Sequence, residues 1–409
     1  MPHEGREEPL GGGVRFTRDV VIVGGCGRVG LPLGLAFAER GLSVCLYDLN
    51  EAAVRTVNEG RMPFDEPGAP AVLARVAGTT LQAGSDPAVV GTAECVVVVI
   101  GTPVDEHLNP DPLAVPRAVE ALGDQLLDGQ LVVLRSTLYP GVTRLVAQVV
   151  ERLGLAVDVA FCPERIAEGK AMTELYELPQ IVSGHTRQAA DRAEKLFRNL
   201  TEQVVHLEPE EAELAKLFTN TWRYLRFAIA NQLFMIANDY GVDFERLRAA
   251  LAFDYPRAAD LPGAGFAAGP CLFKDTMQLA AFNNNNFVLG HAGMAVNEGL
   301  PLYMVARLEK RHDLRSLTVG ILGMAFKAES DDIRSSLSYK LKRILQFKAG
   351  DVLCTDPHVT VDPDLVALDE VLERADLLII GTPHEAYAGI EPRQPVVDIW
   401  NLLGRGVLV

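Results

Sequence analysis

The chain has 409 residues with 38 basic and 54 acidic side chains, a formal charge of -16. That balance argues against non-specific binding to nucleic acid or anionic membrane, while leaving room for a local basic pocket. The length predicts two or three domains, no apolar run approaches a membrane span, and 48% hydrophobic residues suffice to build cores.

Residues 1–17 read as a flexible tail, because they lack the apolar core of a signal peptide. The cysteines at 26, 45, 95, 162, 271 and 354 are scattered, without a CxxC pair or a His/Cys zinc spacing. We therefore assign no metal and expect a reduced, cytoplasmic protein.

Asp19–Val23 is a short apolar run, as in a buried parallel strand. It enters a loop in which Gly25, Gly27 and Gly30 fit G-x-G-x-x-G. A helix over Leu31–Arg40, a strand over Leu42–Tyr47 and an acid, Asp48, follow. Strand, glycines, helix, strand and terminal acid together specify a dinucleotide site. Gly25 serves the tight turn, Gly27 the approach of the pyrophosphate and Gly30 helix packing, with Arg28 and Val29 in the same loop. Asp48 would bond the ribose hydroxyls and favour NAD over NADP.

Cys95–Ile100 and Leu131–Leu134 are further buried strands. They end in Gly101-Thr-Pro and Arg135-Ser-Thr, which makes Thr102 and Thr137 candidate contacts or simple turn caps. After a strand at Val157–Phe161, Glu164 and Glu168 lie four apart, either to manage protons or as a solvated acidic edge.

From Pro209 to Asn238 the pattern is one long helix with Lys216 and Asn220 on one face. An ammonium and an amide one turn apart could stabilise an oxyanion. Cys271 then follows a run of small residues that includes Gly263, Gly265 and Gly269. Lys274 and Asp275 come within one helical turn of it. A cysteine at a helix N-terminus forms thiolate more readily, although most lone cysteines are inert packing.

Strands over Ser316–Leu322, Asp351–Thr355, Leu377–Pro383 and Val396–Ile399 outline a second βαβ region without the glycine fingerprint. Its Gly381-Thr-Pro echoes Gly101-Thr-Pro. Lys327 and Arg334 flank the loop after its first strand, where a phosphate would sit. The fold class is α/β: two Rossmann-like doubly wound parallel-sheet domains, 18–205 and 313–409, joined by a central helical domain, 206–312, with a long spine helix.

Taken together, these motifs resemble the UDP-glucose/GDP-mannose dehydrogenase family from about Asp19 to the C-terminus. The match rests on Gly60–Gly68, Gly101-Thr-Pro, Ser136-Thr, Pro163-Glu to Glu168-Gly, Lys216-x-x-x-Asn220, the Cys271 stretch, Gly323–Lys327 and Asp332-x-Arg334. The resemblance implies oxidation of a nucleotide sugar at C6 by NAD, through a thiohemiacetal and a thioester on Cys271. It implies Lys216 and Asn220 as oxyanion partners, Asp275 as proton-transfer group, and Glu164 and Thr137 as water-placing groups. It adds Lys274 to the cofactor contacts. Glu168, Gly265, Phe266, Lys327 and Arg334 would hold the substrate, and Arg257 would serve a neighbouring subunit in a homodimer built on the central helices. Ala268 stands where the family usually has the first of two glycines. Two alternatives remain: a two-electron β-hydroxyacid dehydrogenase and a non-catalytic NAD-binding protein.

Overall fold

The computed structural model describes residues 16–102 and 104–409. Most of the expected tail and Pro103 lie outside the described residues. The chain divides into two compact units, one holding residues 16–63, 67–102 and 112–213, the other 64–66, 104–111 and 214–409.

The first unit is built on an eight-stranded sheet in the order β3-β2-β1-β4-β5-β6-β7-β8. Its strands are β1 Arg18–Val23, β2 Val44–Tyr47, β3 Leu81–Gly84, β4 Ala93–Val98, β5 Leu131–Leu134, β6 Asp158–Phe161, β7 Gln180–Gly184 and β8 Val204–His206. The inner strands are mostly apolar and buried, β2 and β5 throughout and β1 over its last four residues, as expected when helices cover both faces. All neighbours pair parallel except β6 and β7, which meet antiparallel, so the last two strands reverse the direction of the sheet. Helix α1, Gly30–Glu39, follows β1.

The long helix α2, Pro209–Asp239, runs unbroken for 31 residues, all but its first turn belonging to the second unit. It is followed by α3, Phe244–Ala252, α4, Leu272–Phe282, and α5, Val288–Leu308. A four-stranded parallel sheet in the order β10-β9-β11-β12 completes the unit. Its strands are β9 Thr318–Leu322, β10 Asp351–Thr355, β11 Leu377–Ile380 and β12 Val396–Val397, and helix α6, Leu337–Lys348, connects β9 to β10. One core joins these parts: Phe234 of α2, Leu300 and Met304 of α5, Val319 and Ile321 of β9, and Leu341 of α6 are all fully buried together. The small sheet is thereby fixed to the helix that carries Lys216 and Asn220.

Candidate functional site

The glycine loop after β1 separates structural glycines from a permissive one. Gly24 has φ +76°, and a side chain on it would meet the Val99 carbonyl oxygen at 1.9 Å. A Cβ on Gly25 would collide with Leu46 at 2.7 Å, and one on Gly30 with the Gly24 oxygen at 2.4 Å. These three positions are required by the fold itself. Gly27 differs: the nearest atom to its Cβ would be 3.5 Å away, an ordinary contact. Its missing side chain leaves room above the loop, which fits the close approach of a dinucleotide pyrophosphate. Asp48 accepts the Cys26 N–H at 2.9 Å through Oδ2 and the Asn50 N–H at 2.9 Å through Oδ1. It ties the end of β2 to the loop. Gly24 was not singled out in the sequence, because the fingerprint begins one residue later.

Thr102 donates from Oγ to the Thr137 carbonyl at 2.9 Å, and Ser136 Oγ accepts the Ile100 N–H at 2.8 Å. The exits of β4 and β5 are thus stitched together; the Thr102 hydroxyl takes the turn-capping alternative, while Thr137 enters that bond only through its backbone carbonyl. Arg28 pairs with Glu168 at 3.0 Å, which links the glycine loop to the loop after β6. Glu164 is 7% exposed and accepts from Arg135 Nε at 3.0 Å, Arg135 Nη2 at 2.6 Å, the Arg165 N–H at 2.7 Å and the Ile166 N–H at 2.9 Å. Four bonds engage both carboxylate oxygens, so this group fixes the loop rather than standing ready as a base. Arg135, fully buried and also bound to the Cys162 carbonyl and Gln180, was overlooked in the sequence. Its partners lie more than 25 residues away and leave no local signal.

In the second unit Cys271 is the N-cap residue of α4. It is exposed, whereas Cys26, Cys45, Cys95, Cys162 and Cys354 are all buried. Asp275, one turn further on, is fully buried and donates its N–H to the Cys271 carbonyl. Its Oδ2 accepts Asn220 Nδ2 at 2.6 Å, and its Oδ1 lies 2.8 Å from Lys274 Nζ. One amide hydrogen of Asn220 is therefore spent on Asp275. Although Cys271 is exposed by surface area, the protein crowding around it is the largest influence on the thiol and pushes its pKa up. The Asp275 carboxylate raises it further, while Lys216, Lys274 and Arg334 pull it down. The thiol is thus held above its ordinary pKa, and a buried carboxylate paired with Lys274 stands beside it.

The small-residue run is as constrained as the first loop. A Cβ on Gly265 would meet the Trp400 ring at 2.2 Å, and one on Gly269, at φ +100°, the Phe326 ring at 2.5 Å. Asn231 clamps Gly265 through two bonds of 2.9 Å. Phe266 is 5% exposed and packs edge-on against Trp400, so its ring belongs to the core and it offers a ligand only its backbone. Arg334 grips Asp332 through Nε and Nη2, at 2.6 Å for the shortest contact, with its side chain 59% exposed. Lys327 is half-buried. Arg257 is exposed and lies against Tyr255.

A fingerprint dinucleotide loop after β1, and in the second unit an exposed thiol one turn before a clamped buried acid, are features that fit an NAD-dependent dehydrogenase. The chain belongs to the UDP-glucose/GDP-mannose dehydrogenase family: it matches that family's NAD binding domain over residues 19–201, its central domain over 210–298 and its UDP binding domain over 320–405. It is a nucleotide-sugar dehydrogenase that uses NAD. It is 31% identical to a UDP-N-acetyl-D-mannosamine dehydrogenase of Yersinia pestis, over 95% of this chain and 99% of that one. It is 30% identical to a UDP-glucose 6-dehydrogenase of Haloferax volcanii, over 90% and 92%. The structure of a UDP-glucose dehydrogenase from Pyrobaculum islandicum superposes with a TM-score of 0.86 at 28% identity, covering 96% of both chains.

Proposed function

We propose that the chain oxidises the C6 hydroxyl of a UDP-linked hexose or N-acetylhexosamine to the carboxylic acid, in four electrons, through a covalent intermediate on Cys271. The observation that carries this reading is the contrast among the thiols: Cys271 alone of the six is exposed, and it caps the helix that holds Asp275. NAD, when bound, accepts a hydride from C6 in each of the two oxidations. The first oxidation turns the alcohol into an aldehyde and releases a proton. Cys271 then adds to the aldehyde carbon to give a thiohemiacetal, the second oxidation leaves a thioester, and water cleaves it to the acid and the free thiol.

The residues divide this work as follows. We assign to Asp275 the proton of the Cys271 thiol and its return on hydrolysis, because a thiol held above its ordinary pKa needs a base. Lys216 supplies positive charge for the oxyanion. Asn220 contributes its second amide hydrogen while its first holds Asp275. Glu164 and Thr137 shape the loop ends that would place the water, and Glu168 joins the sugar loop to Arg28. Gly265, Phe266, Lys327 and Arg334 serve the nucleotide sugar.

We read the three sequence segments 18–205, 206–312 and 313–409 as the functional domains. We also read the protein as a cytoplasmic homodimer, with Arg257 lent to the partner's site. Along α2, Phe218, Trp222, Ile229 and Ile236 are at least half exposed at near-helical spacing, Tyr240 just past its end is too, and Phe253 beyond α3 is 83% exposed. An apolar stripe of that length asks for cover. UDP-N-acetylmannosamine is the first substrate to try, because it is named for several of the relatives. The test is the NADH yield with that sugar and with UDP-glucose, UDP-N-acetylglucosamine, GDP-mannose and dTDP-glucose. Two NADH per sugar support the reading, and one would favour a two-electron dehydrogenase. Cys271→Ser should stop acid formation by about a thousandfold or more and spare NAD binding; undiminished uronate from that variant would defeat the covalent route.

A further inference from the structure

Three loops at the carboxyl ends of adjacent strands in the small sheet bring together Glu329, His358 and His384, with one ligand-type atom from each within 4.8 Å of the others. Glu329 follows β9, His358 follows β10 and His384 follows β11. The sheet order β10-β9-β11 reverses at β9, so the cluster sits at the crevice where open parallel sheets receive ligands. No spacing in the sequence points to it, because each residue comes from a different crossover. The nucleotide-sugar chemistry proposed above does not use it.

We propose that these three residues form a binding site for one divalent transition-metal ion, of the Zn2+ class. Glu329 Oε2 lies 3.4 Å from His358 Nε2, and Glu329 Oε1 lies 3.6 Å from His384 Nδ1. Two ligands bound at the usual zinc distances in a tetrahedron are roughly 3.3–3.5 Å apart, so the side chains need little movement to converge. Two histidines with one carboxylate suit zinc.

What separates this cluster from a chance grouping is the support behind each ligand. His384 is fully buried, and its Nε2 faces Asp356 Oδ2 at 3.1 Å, with that carboxylate equally buried. His358 Nδ1 faces Asp65 Oδ2 at 3.8 Å. Glu329 Oε1 accepts the Glu385 N–H at 2.8 Å, which holds the carboxylate in place. For His384 the carboxylate on the far nitrogen fixes the tautomer and ring orientation that a metal requires. His384 Nδ1 accepts the Glu329 N–H at 3.1 Å, a bond that coordination would replace. Glu329 itself sits at φ +53°, an uncommon conformation for a residue with a side chain. An ion here would pin the Gly323–Ser336 loop that carries Lys327 and Arg334.

The test uses the full chain without an affinity tag, treated with chelator, in a Cys271→Ser background that removes the exposed thiol as a rival ligand. Calorimetric titration with Zn2+ should show one equivalent bound. His358→Ala and Glu329→Gln should each weaken binding by about 100-fold, and Asp65→Asn by about tenfold or less. Co2+ should give visible ligand-field bands in the parent and lose them in the first two variants. Circular dichroism and the melting temperature of the chelated proteins establish that the variants fold; both substituted side chains are partly exposed, which is why His384 is left intact. No Zn2+ binding by the parent, or equal binding by parent and variants, would overturn the proposal.

Discussion

In the large sheet β1 lies between β2 and β4, and in the small sheet β9 lies between β10 and β11. The residue after each central strand is a glycine in left-handed conformation, Gly24 at φ +76° and Gly323 at φ +96°. Each presses on backbone leaving the neighbouring strand: a Cβ would meet the Val99 oxygen at 1.9 Å in the first case and the Thr382 oxygen at 2.5 Å in the second. An aspartate ends the second strand of each sheet and accepts N–H groups from that loop, Asp48 from Cys26, and Asp356 from Met324 at 2.6 Å and Ala325 at 2.9 Å. The plan then diverges. Where the first loop continues with Gly25 and Gly27, the second has Met324 and Phe326. Met324 is fully buried, and Phe326 fills the space beside Gly269. The first loop leaves its backbone open to a dinucleotide, whereas the second closes over itself. One βαβ design thus yields a loop open to a dinucleotide in the first sheet and a loop packed on its own side chains in the second.

The shared part of the plan should be the most costly to break. Gly24→Ala and Gly323→Ala each force a methyl group into backbone at a left-handed position, and each should cost about 3 kcal/mol or more in denaturant unfolding. Similar losses at both sites would sharpen the parallel. A Gly323→Ala protein as stable as the parent would break it.

The two aspartates should separate next. Asp356 combines burial, which alone would raise its pKa, with the stronger opposing effects of His384 and the backbone donors, which hold it well below the ordinary carboxylate range. A depressed folded pKa adds stability above the unfolded value near 4, and that stability is lost as the pH falls through the acid range. Asp356→Asn should therefore cost about 2–4 kcal/mol near neutrality and flatten the decline of stability below about pH 5. Asp48→Asn keeps an acceptor in a half-buried position, so it should cost under about 1 kcal/mol of stability. Its effect should fall on the cofactor, with the KM for NAD raised about tenfold or more. Equal stability losses would show that the two carboxylates do the same job.

The glycines of the first loop sharpen the contrast further. Gly27→Ala meets nothing closer than 3.5 Å and should fold within about 0.5–1 kcal/mol of the parent. It should nevertheless weaken NAD binding by about tenfold, because the methyl group occupies the approach to the loop. Thermal melting with and without NAD distinguishes the two outcomes.

Much of this plan could be read from residues alone, for a physical reason. Buried parallel strands are continuous apolar runs, and β5 and β10 were placed with the bounds observed. The long helix ends within one residue of its expected limit. The strands β3, β7 and β8 were not anticipated: Leu81-Gln-Ala-Gly has no apolar run, and Val204-Val-His is a largely exposed edge strand. The reversal at β7 follows from pairing, which local pattern does not encode. At the site, the one-turn spacing of Cys271 and Asp275 was visible, as was that of Lys216 and Asn220. Partnerships between distant segments were not, so Arg135 with Glu164, and His384 with Asp356, emerged only with the fold.

The thiols carry the comparison to its finest scale. Cys26, in the first loop, and Cys354, in β10, are buried and pushed up to about 12, chiefly by desolvation. Both sheets therefore silence the cysteines they contain, while Cys271, outside both, stays exposed. Iodoacetamide should label Cys271 first in the folded protein. Its rate should rise as the pH increases past the ordinary thiol range, because crowding and then the Asp275 charge oppose the thiolate. Removing that charge with Asp275→Asn should move the labelling profile to lower pH, whereas Lys216→Met should move it higher. The displacements should be on the order of one pH unit or less, since several neighbours share the effect. Mass spectrometry of the labelled peptide fixes which sulfur reacts. A profile unmoved by Asp275→Asn would mean that desolvation and the neighbouring cations govern the thiol, without a contribution from the Asp275 charge.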